Sequence, residues 1–327
     1  MMKRFGTDPQ LQKYSEWFIP VKLETSSDQW KSFRETYKHD GGMSPYVFIV
    51  RADGEQLYGS GKRISAEELY SVVEDSISKS GRIYSMPQAS ALATAAESAG
   101  SQLYDGDLEA AIKTLMSVRK IGMPGQLNSF ASGAIAADSV AAEIDAKVAP
   151  QLEAIKAELE DEQRAPDAAI KMAAALRQLV RWVPRKDDLN QLKKQFKSDE
   201  KLKSLLEQAI IYDEMSQAQQ RDNFTKLLSG YRNLVSDFPD GLIVPRGKLL
   251  LESAVTPELA KADDFFVMWQ SANGFRTSGV MKSAKKNDAG EVVSISIVDR
   301  RDKTIEVPLE KLDVVSQQLA AAIVAQR

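Results

Sequence analysis

The sequence predicts an α+β protein of three units, on three observations. Strand and helix signals alternate over residues 1–84. An alanine-rich stretch without strand signals fills 85–256. Short β-prone runs separated by turns return over 257–327. The chain has 327 residues, and at roughly 100–200 residues per domain it is expected to hold two or three domains. It is 43% hydrophobic and 27% charged, the composition of a globular chain that needs no disulfides to build a core.

In the first unit, Phe18 to Leu23 is a short β-prone run, and Asp28 to Tyr37 reads as a helix stopped by Asp40-Gly41-Gly42. Tyr46 to Val50 is a continuous apolar run, as a buried strand requires. Asp53-Gly54 signals a hairpin, with Gln56 to Tyr58 pairing back. Ser65 and Glu68 have the spacing of a capping box, and Leu69, Val72, Val73 and Ile77 form the apolar stripe of the helix that follows, up to Gly81.

The middle unit is punctuated near Gly106, Pro124-Gly125, Pro166, Pro184 and Pro239. Ser129 to Glu162 reads as one long helix with Pro150 as a kink or break. The charged run Glu158 to Arg164 reads as a solvated face. In the last unit, after Thr256-Pro257-Glu258, Arg276 to Lys285 is a candidate strand and Asn287 to Gly290 a turn. Val292 to Val298 is a strand, Arg300 to Lys303 a turn, Thr304 to Val307 a strand and Val314 to Val324 an amphipathic helix. Three short strands bury little alone, so a small β-barrel completed by Trp269 and Phe275 is expected.

Composition narrows the chemistry. There is no cysteine, which removes disulfides, thiolate metal sites and thiol nucleophiles. The single histidine, His39, excludes a multi-histidine metal site and is expected to help end the helix before it. Trp17, Trp30, Trp182 and Trp269 are expected to be core or inter-domain anchors. A net charge of −3 and a pI near 5.6 argue against nucleic acid as the main partner. No run of about 20 apolar residues marks a membrane span. No cofactor or metal is expected. Without a signal-like stretch at the start, the chain as it stands is expected in the cytoplasm.

Three stretches carry resemblances. Asp8-Pro9-Gln10-Leu11, Phe18-Ile19-Pro20-Val21-Lys22-Leu23, Ser44-Pro45-Tyr46-Val47-Phe48-Ile49, Asp53-Gly54 and Gly59 together resemble the C-terminal half of a thioredoxin fold. The resemblance implies a cis proline at Pro45. The redox Cys-x-x-Cys of that family has no counterpart, so thiol–disulfide exchange is excluded. It also implies that Met1 falls within a domain, so that the native product is expected to start upstream and to be secreted or periplasmic. Tyr104-x-Gly106-Asp107-Leu108-x-Ala110-Ala111-Ile112 and, more loosely, Phe224 to Glu252 resemble helix joints of tetratricopeptide repeats, without the regular period; an irregular helical domain is the plainer reading. Trp269, Gly274-Phe275-Arg276, Val292 to Val298 and Ile305-Glu306-Val307-Pro308-Leu309-Glu310-Lys311-Leu312 resemble the Sla-type homology domain one, an SH3-like barrel that binds short peptides in endocytic adaptors.

These observations lead to a non-enzymatic protein-binding or scaffold protein, with a protein or peptide as partner. Its C-terminal barrel is expected to read a peptide or partner loop through Trp269, Phe275, Arg276, Arg300, Arg301 and Lys303, the cations holding an acidic group. The alternative is a remnant, or an N-terminally shortened form, of a thioredoxin-like oxidoreductase. A carboxylate-pair enzyme is the weakest reading, since no motif selects a pair among 46 Asp and Glu.

Overall fold

The computed structural model describes residues 8–14, 17–19, 21–42 and 44–327. The protein is α+β, dominated by helix, with two small sheets. It divides into two compact units, one of residues 1–149 with 181–185, the other of 150–180 with 186–327. The division falls elsewhere than the composition shifts at 84 and 256.

The first unit begins with α1 (Pro9–Gln12) and α2 (Asp28–Thr36), followed by the antiparallel pair β1 (Val47–Val50) and β2 (Gln56–Ser60). The run Phe18 to Leu23 is not a strand where described, and Pro20 lies outside the described residues. Among the described residues the run has no ladder partner, and Ile19 and Val21 remain exposed. α2 is capped by Ser27, whose hydroxyl accepts from the Trp30 amide. Its Trp30 and Phe33 meet Phe48 of β1 at 6.1 and 5.2 Å between ring centroids. The Ser44–Pro45 peptide bond is cis. His39 does not cap α2. That helix ends at Thr36, and the His39 ring packs against Tyr46 while Nδ1 lies 2.9 Å from the Gly41 carbonyl oxygen.

α3 (Ala66–Lys79) carries both halves of the Ser65–Glu68 capping box and buries Leu69 and Val73. α4 (Met86–Tyr104) and α5 (Leu108–Met116) form a helical hairpin around Gly106, whose positive φ of 83° reverses the chain. α6 (Ser132–Leu159) is the long helix expected around Pro150, and the boundary between the units falls between Ala149 and Pro150. Trp182 is buried in the first unit and Trp30 nearly so, whereas Trp17, expected as an anchor, is exposed.

The second unit continues with α7 (Ala165–Gln178), α8 (Lys186–Ser198), α9 (Glu200–Gln220), α10 (Phe224–Asp237), α11 (Val244–Ala254) and α12 (Pro257–Lys261). No strand interrupts residues 90–250. Glu158 is not part of a solvated face: it is buried and paired with Arg164 and Lys171. A buried carboxylate needs such partners.

The second sheet is an antiparallel meander of β3 (Val267–Gln270), β4 (Arg276–Lys286), β5 (Val292–Asp299) and β6 (Thr304–Pro308). A 3₁₀ turn at Leu309–Lys311 and α13 (Val314–Gln326) follow. The expected barrel is corrected: the sheet is open. Among the described residues the chain returns toward β3 only at the bridge Ser271–Leu312, with the flanking Ala272–Lys311 and Asp313–Gln270 backbone bonds, too little to make a closing ladder. β3 was not anticipated as a strand.

The three connections of the meander share one design. The first residue of each turn accepts from the fourth, and its amide donates to the fifth: Ser271 with Gly274 and Phe275, Asn287 with Gly290 and Glu291, Asp299 with Asp302 and Lys303. The fourth position has positive φ (86°, 82° and 56°), which glycine takes freely and aspartate tolerates.

The inner face of this sheet shares one core with the helices. Val267, Trp269, Met281, Ile295 and Ile297 cluster with Tyr231 and Leu234 of α10, Leu251 of α11, and Leu319 and Ile323 of α13. The Tyr231 hydroxyl donates to Gln318 Oε1 at 2.7 Å, and burial pushes its pKa up to about 12. α13 is buried around much of its circumference, by Val315, Ser316, Leu319, Ala320, Ala322 and Ile323, rather than along one stripe.

Among the described residues no helix is long and apolar enough to cross a membrane. Paired carboxylates are expected to make stability depend on acid. Arg51 holds Asp53 down to about 2, and Arg185 and Arg246 hold Asp145 and Asp167 below the usual carboxylate range. A carboxylate depressed on folding stabilises above its unfolded pKa, about 3.9, and loses that contribution as pH falls through the folded value. Melting temperatures measured from pH 7 to pH 2 are therefore expected to decline below about pH 4. A flat profile across that range would show that these pairs contribute nothing.

Candidate functional site

The six residues expected to bind fall into two groups. Trp269 is core: it is 1% exposed, and its indole N–H donates to the Gly279 carbonyl at 3.0 Å. Its place as the floor of a binding groove is corrected. Strand alternation gives the reason. Phe265, Val267 and Trp269 point inward and are buried, while Phe266 and Met268 point outward and are exposed. The stretch Phe265 to Trp269 is apolar throughout, which hid its period of two.

Phe275, by contrast, is 79% exposed. It ends the β3–β4 turn, beside Arg276, whose Nε donates to Gln270 Oε1 at 2.9 Å. Arg300, Arg301 and Lys303 occupy the β5–β6 turn. Register brings the two turns to one end of the sheet, because Gln270 pairs with Arg276, Gly279 with Asp299, and Val298 with Thr304. The Arg300 guanidinium lies 5.7 Å from the centre of the Phe266 ring, so its side chain reaches across the outer face toward β3. Phe266 and Met268 are the members of this surface that sequence reasoning missed, and alternation within β3 was the signal that could have found them.

The basic turn is held by its own acid. The Asp299 carboxylate accepts from the backbone amides of Arg301 and Lys303 at 2.8 and 3.0 Å, which keeps it below the usual carboxylate range. The Asp299 carboxylate is bonded to the backbone while its charge also acts on Arg301 and Lys303, whose side chains stand exposed and form no salt bridge among the described residues. The result is an outer face with exposed Phe266 and Met268, and at its end two turns that carry exposed Phe275, Arg276, Arg300, Arg301 and Lys303. It can hold an apolar side chain and an adjacent carboxylate.

The first unit has a shallow cleft of about 310 Å³, lined by Pro124, Gly125, Asp138, Asp145, Trp182 and Arg185 among others. Its two carboxylates are already engaged. Asp138 accepts from the Gly125 and Leu127 amides, and Asp145 from Arg185 at 2.7 Å and Trp182 at 3.5 Å. They organise the loop and the 3₁₀ turn Val183–Arg185 rather than stand ready for a proton transfer. Among the described residues no group of three or more His, Asp or Glu side chains is placed to hold a metal ion. Pro45 lies at an exposed position before β1. Compared with known proteins, the chain matches no family, no curated protein and no solved structure.

Proposed function

We propose that this is a non-enzymatic binding or scaffold protein whose C-terminal sheet takes an extended, acidic segment of a partner protein. One observation carries the reading: the two turns at one end of the sheet bring exposed Phe275 together with Arg276, Arg300, Arg301 and Lys303, beside outward-facing Phe266 and Met268. Exposed aromatic and apolar side chains next to unpaired cations suit a peptide that offers an apolar residue near Asp or Glu. The C-terminal segment serves as the binding module, similar in sequence to the Sla-type homology domain one but with an open sheet in place of its barrel, and the helices support it. The absence of cysteine and the single, packed histidine favour binding over catalysis.

Display selection of random dodecapeptides on the immobilised full chain, followed by fluorescence anisotropy of the enriched peptides, tests the proposal. Enriched peptides are expected to be acidic. The double substitution Arg300→Ala, Arg301→Ala is expected to weaken them about tenfold or more. Stability should change by no more than about 0.5 kcal/mol per site, because both side chains are exposed and the amide of residue 301 still reaches Asp299. Unchanged affinity, or a selection that enriches no acidic peptide, would remove the basic turn as a reading head.

A further inference from the structure

The two edges of the C-terminal sheet are treated differently by the rest of the chain. In an antiparallel ladder, alternate residues turn their backbone groups outward. The turn bonds identify which. Ser271 bonds Phe275, so Gln270 and Met268 face away from β4; Asp299 bonds Lys303, so Thr304 and Glu306 face away from β5.

On β3 the outward groups are largely taken. The Met268 carbonyl accepts from Arg232, the Gln270 amide donates to Ser316 Oγ at 3.0 Å, and the Gln270 carbonyl accepts from the Asp313 amide at 2.9 Å. A further strand cannot pair there without displacing them. On β6 the amides and carbonyls of Thr304 and Glu306 meet no other protein group among the described residues, and both residues are exposed. Pro308, two residues on, is in register with the same outward set and has no N–H to lose.

We infer that β6 is the docking edge, and that the acidic segment binds by adding a strand to the sheet beside Thr304 and Glu306. This rests on the peptide-binding reading above and supplies its mode. Charge says what the segment carries. Arg301 and Lys303 stand unpaired at the start of the edge, whereas Glu306 is already paired with Lys285 and hydrogen-bonded by Ser294. An Asp or Glu is therefore favoured where the segment meets Arg301 and Lys303. A second copy of this chain is a poorer occupant. Two β6 edges paired about a two-fold axis at Glu306 would set Glu306 opposite itself and Thr304 opposite Pro308, which lacks a donor; paired about an axis at Ile305, they would set Val307 opposite Lys303 and bring no acid to it.

The test uses the full chain and the dodecapeptides selected on it. Thr304→Pro and Glu306→Pro each remove one outward N–H and leave the bonds to β5 in place. Each is expected to weaken peptide binding about tenfold. In wild type, peptide binding is expected to slow hydrogen exchange at the Thr304 and Glu306 amides; this readout needs no substitution, so a variant that misfolds does not blunt the test. If neither amide is protected by peptides that do bind, strand addition is overturned. Should those peptides still depend on Arg300 and Arg301, the peptide-reading proposal survives without it. If no acidic peptide is selected, both fall. Protection of the two amides that rises with protein concentration, without peptide, would give the edge to a second copy and also overturn the inference.

Discussion

Replacing Trp269 by alanine is expected to destabilise the second unit by about 3–5 kcal/mol. The indole is 1% exposed, lies in the cluster shared by β3, β5, α10, α11 and α13, and donates to Gly279. Removing it leaves a large void and takes the indole hydrogen bond from the Gly279 carbonyl, and surrounding strands tied by ladder bonds cannot collapse into the space. Trp269→Phe keeps most of the volume and loses the donor, so it should fall between wild type and alanine. Urea titration followed by far-UV circular dichroism reads both. A Trp269→Ala cost below about 1 kcal/mol, the range of ordinary surface changes, would place this residue on the surface after all.

Excising residues 257–327 is expected to yield an unfolded or molten chain. The sheet alone has only α12 and α13 to cover its inner face, because Tyr231, Leu234 and Leu251 stay behind. It also loses Arg232, which bonds the Met268 carbonyl and Ser316 Oγ and lies 3.6 Å from Asp313. A fragment of about 70 residues has little core to spare. Poor dispersion in an amide proton spectrum and the lack of a cooperative melt are the expected results. A sharp melt would mean that the helices are not needed. Extending the fragment back to residue 150 restores most of the second unit and is expected to restore cooperativity.

What was legible in the sequence was local. The hairpin at Asp53-Gly54, the Ser65–Glu68 box, the helix around Pro150 and the turns at Asn287 to Gly290 and Arg300 to Lys303 each follow from a few adjacent residues, and each is present. The boundary between units was not legible, because it depends on contacts such as Tyr231 with Gln318, 87 residues apart. Buried Glu158 was hidden for a similar reason: its partners Arg164, which caps α7, and Lys171, within α7, stand 6 and 13 residues further along, and composition does not reveal that the chain turns back there. At the candidate site, residue type alone pointed to Trp269 and Phe275 alike. Only the pleat of β3 and the turn that carries Phe275 separate the buried ring from the exposed one.

In the meander every strand pairs with its neighbour in sequence, across turns in which the first and fifth residues bond. Closing such short loops costs little chain entropy, so the sheet can zip quickly once its residues are available. Its apolar inner face would then be exposed and prone to aggregate if nothing waited to cover it. The order of the chain avoids this. α9, α10 and α11 are synthesised before β3, so Tyr231, Leu234 and Leu251 are in place when Val267 and Trp269 emerge, and α13 follows to seal the remaining side. Moving this sheet ahead of α9, α10 and α11 by circular permutation is expected to slow productive folding, because the face would emerge before its cover.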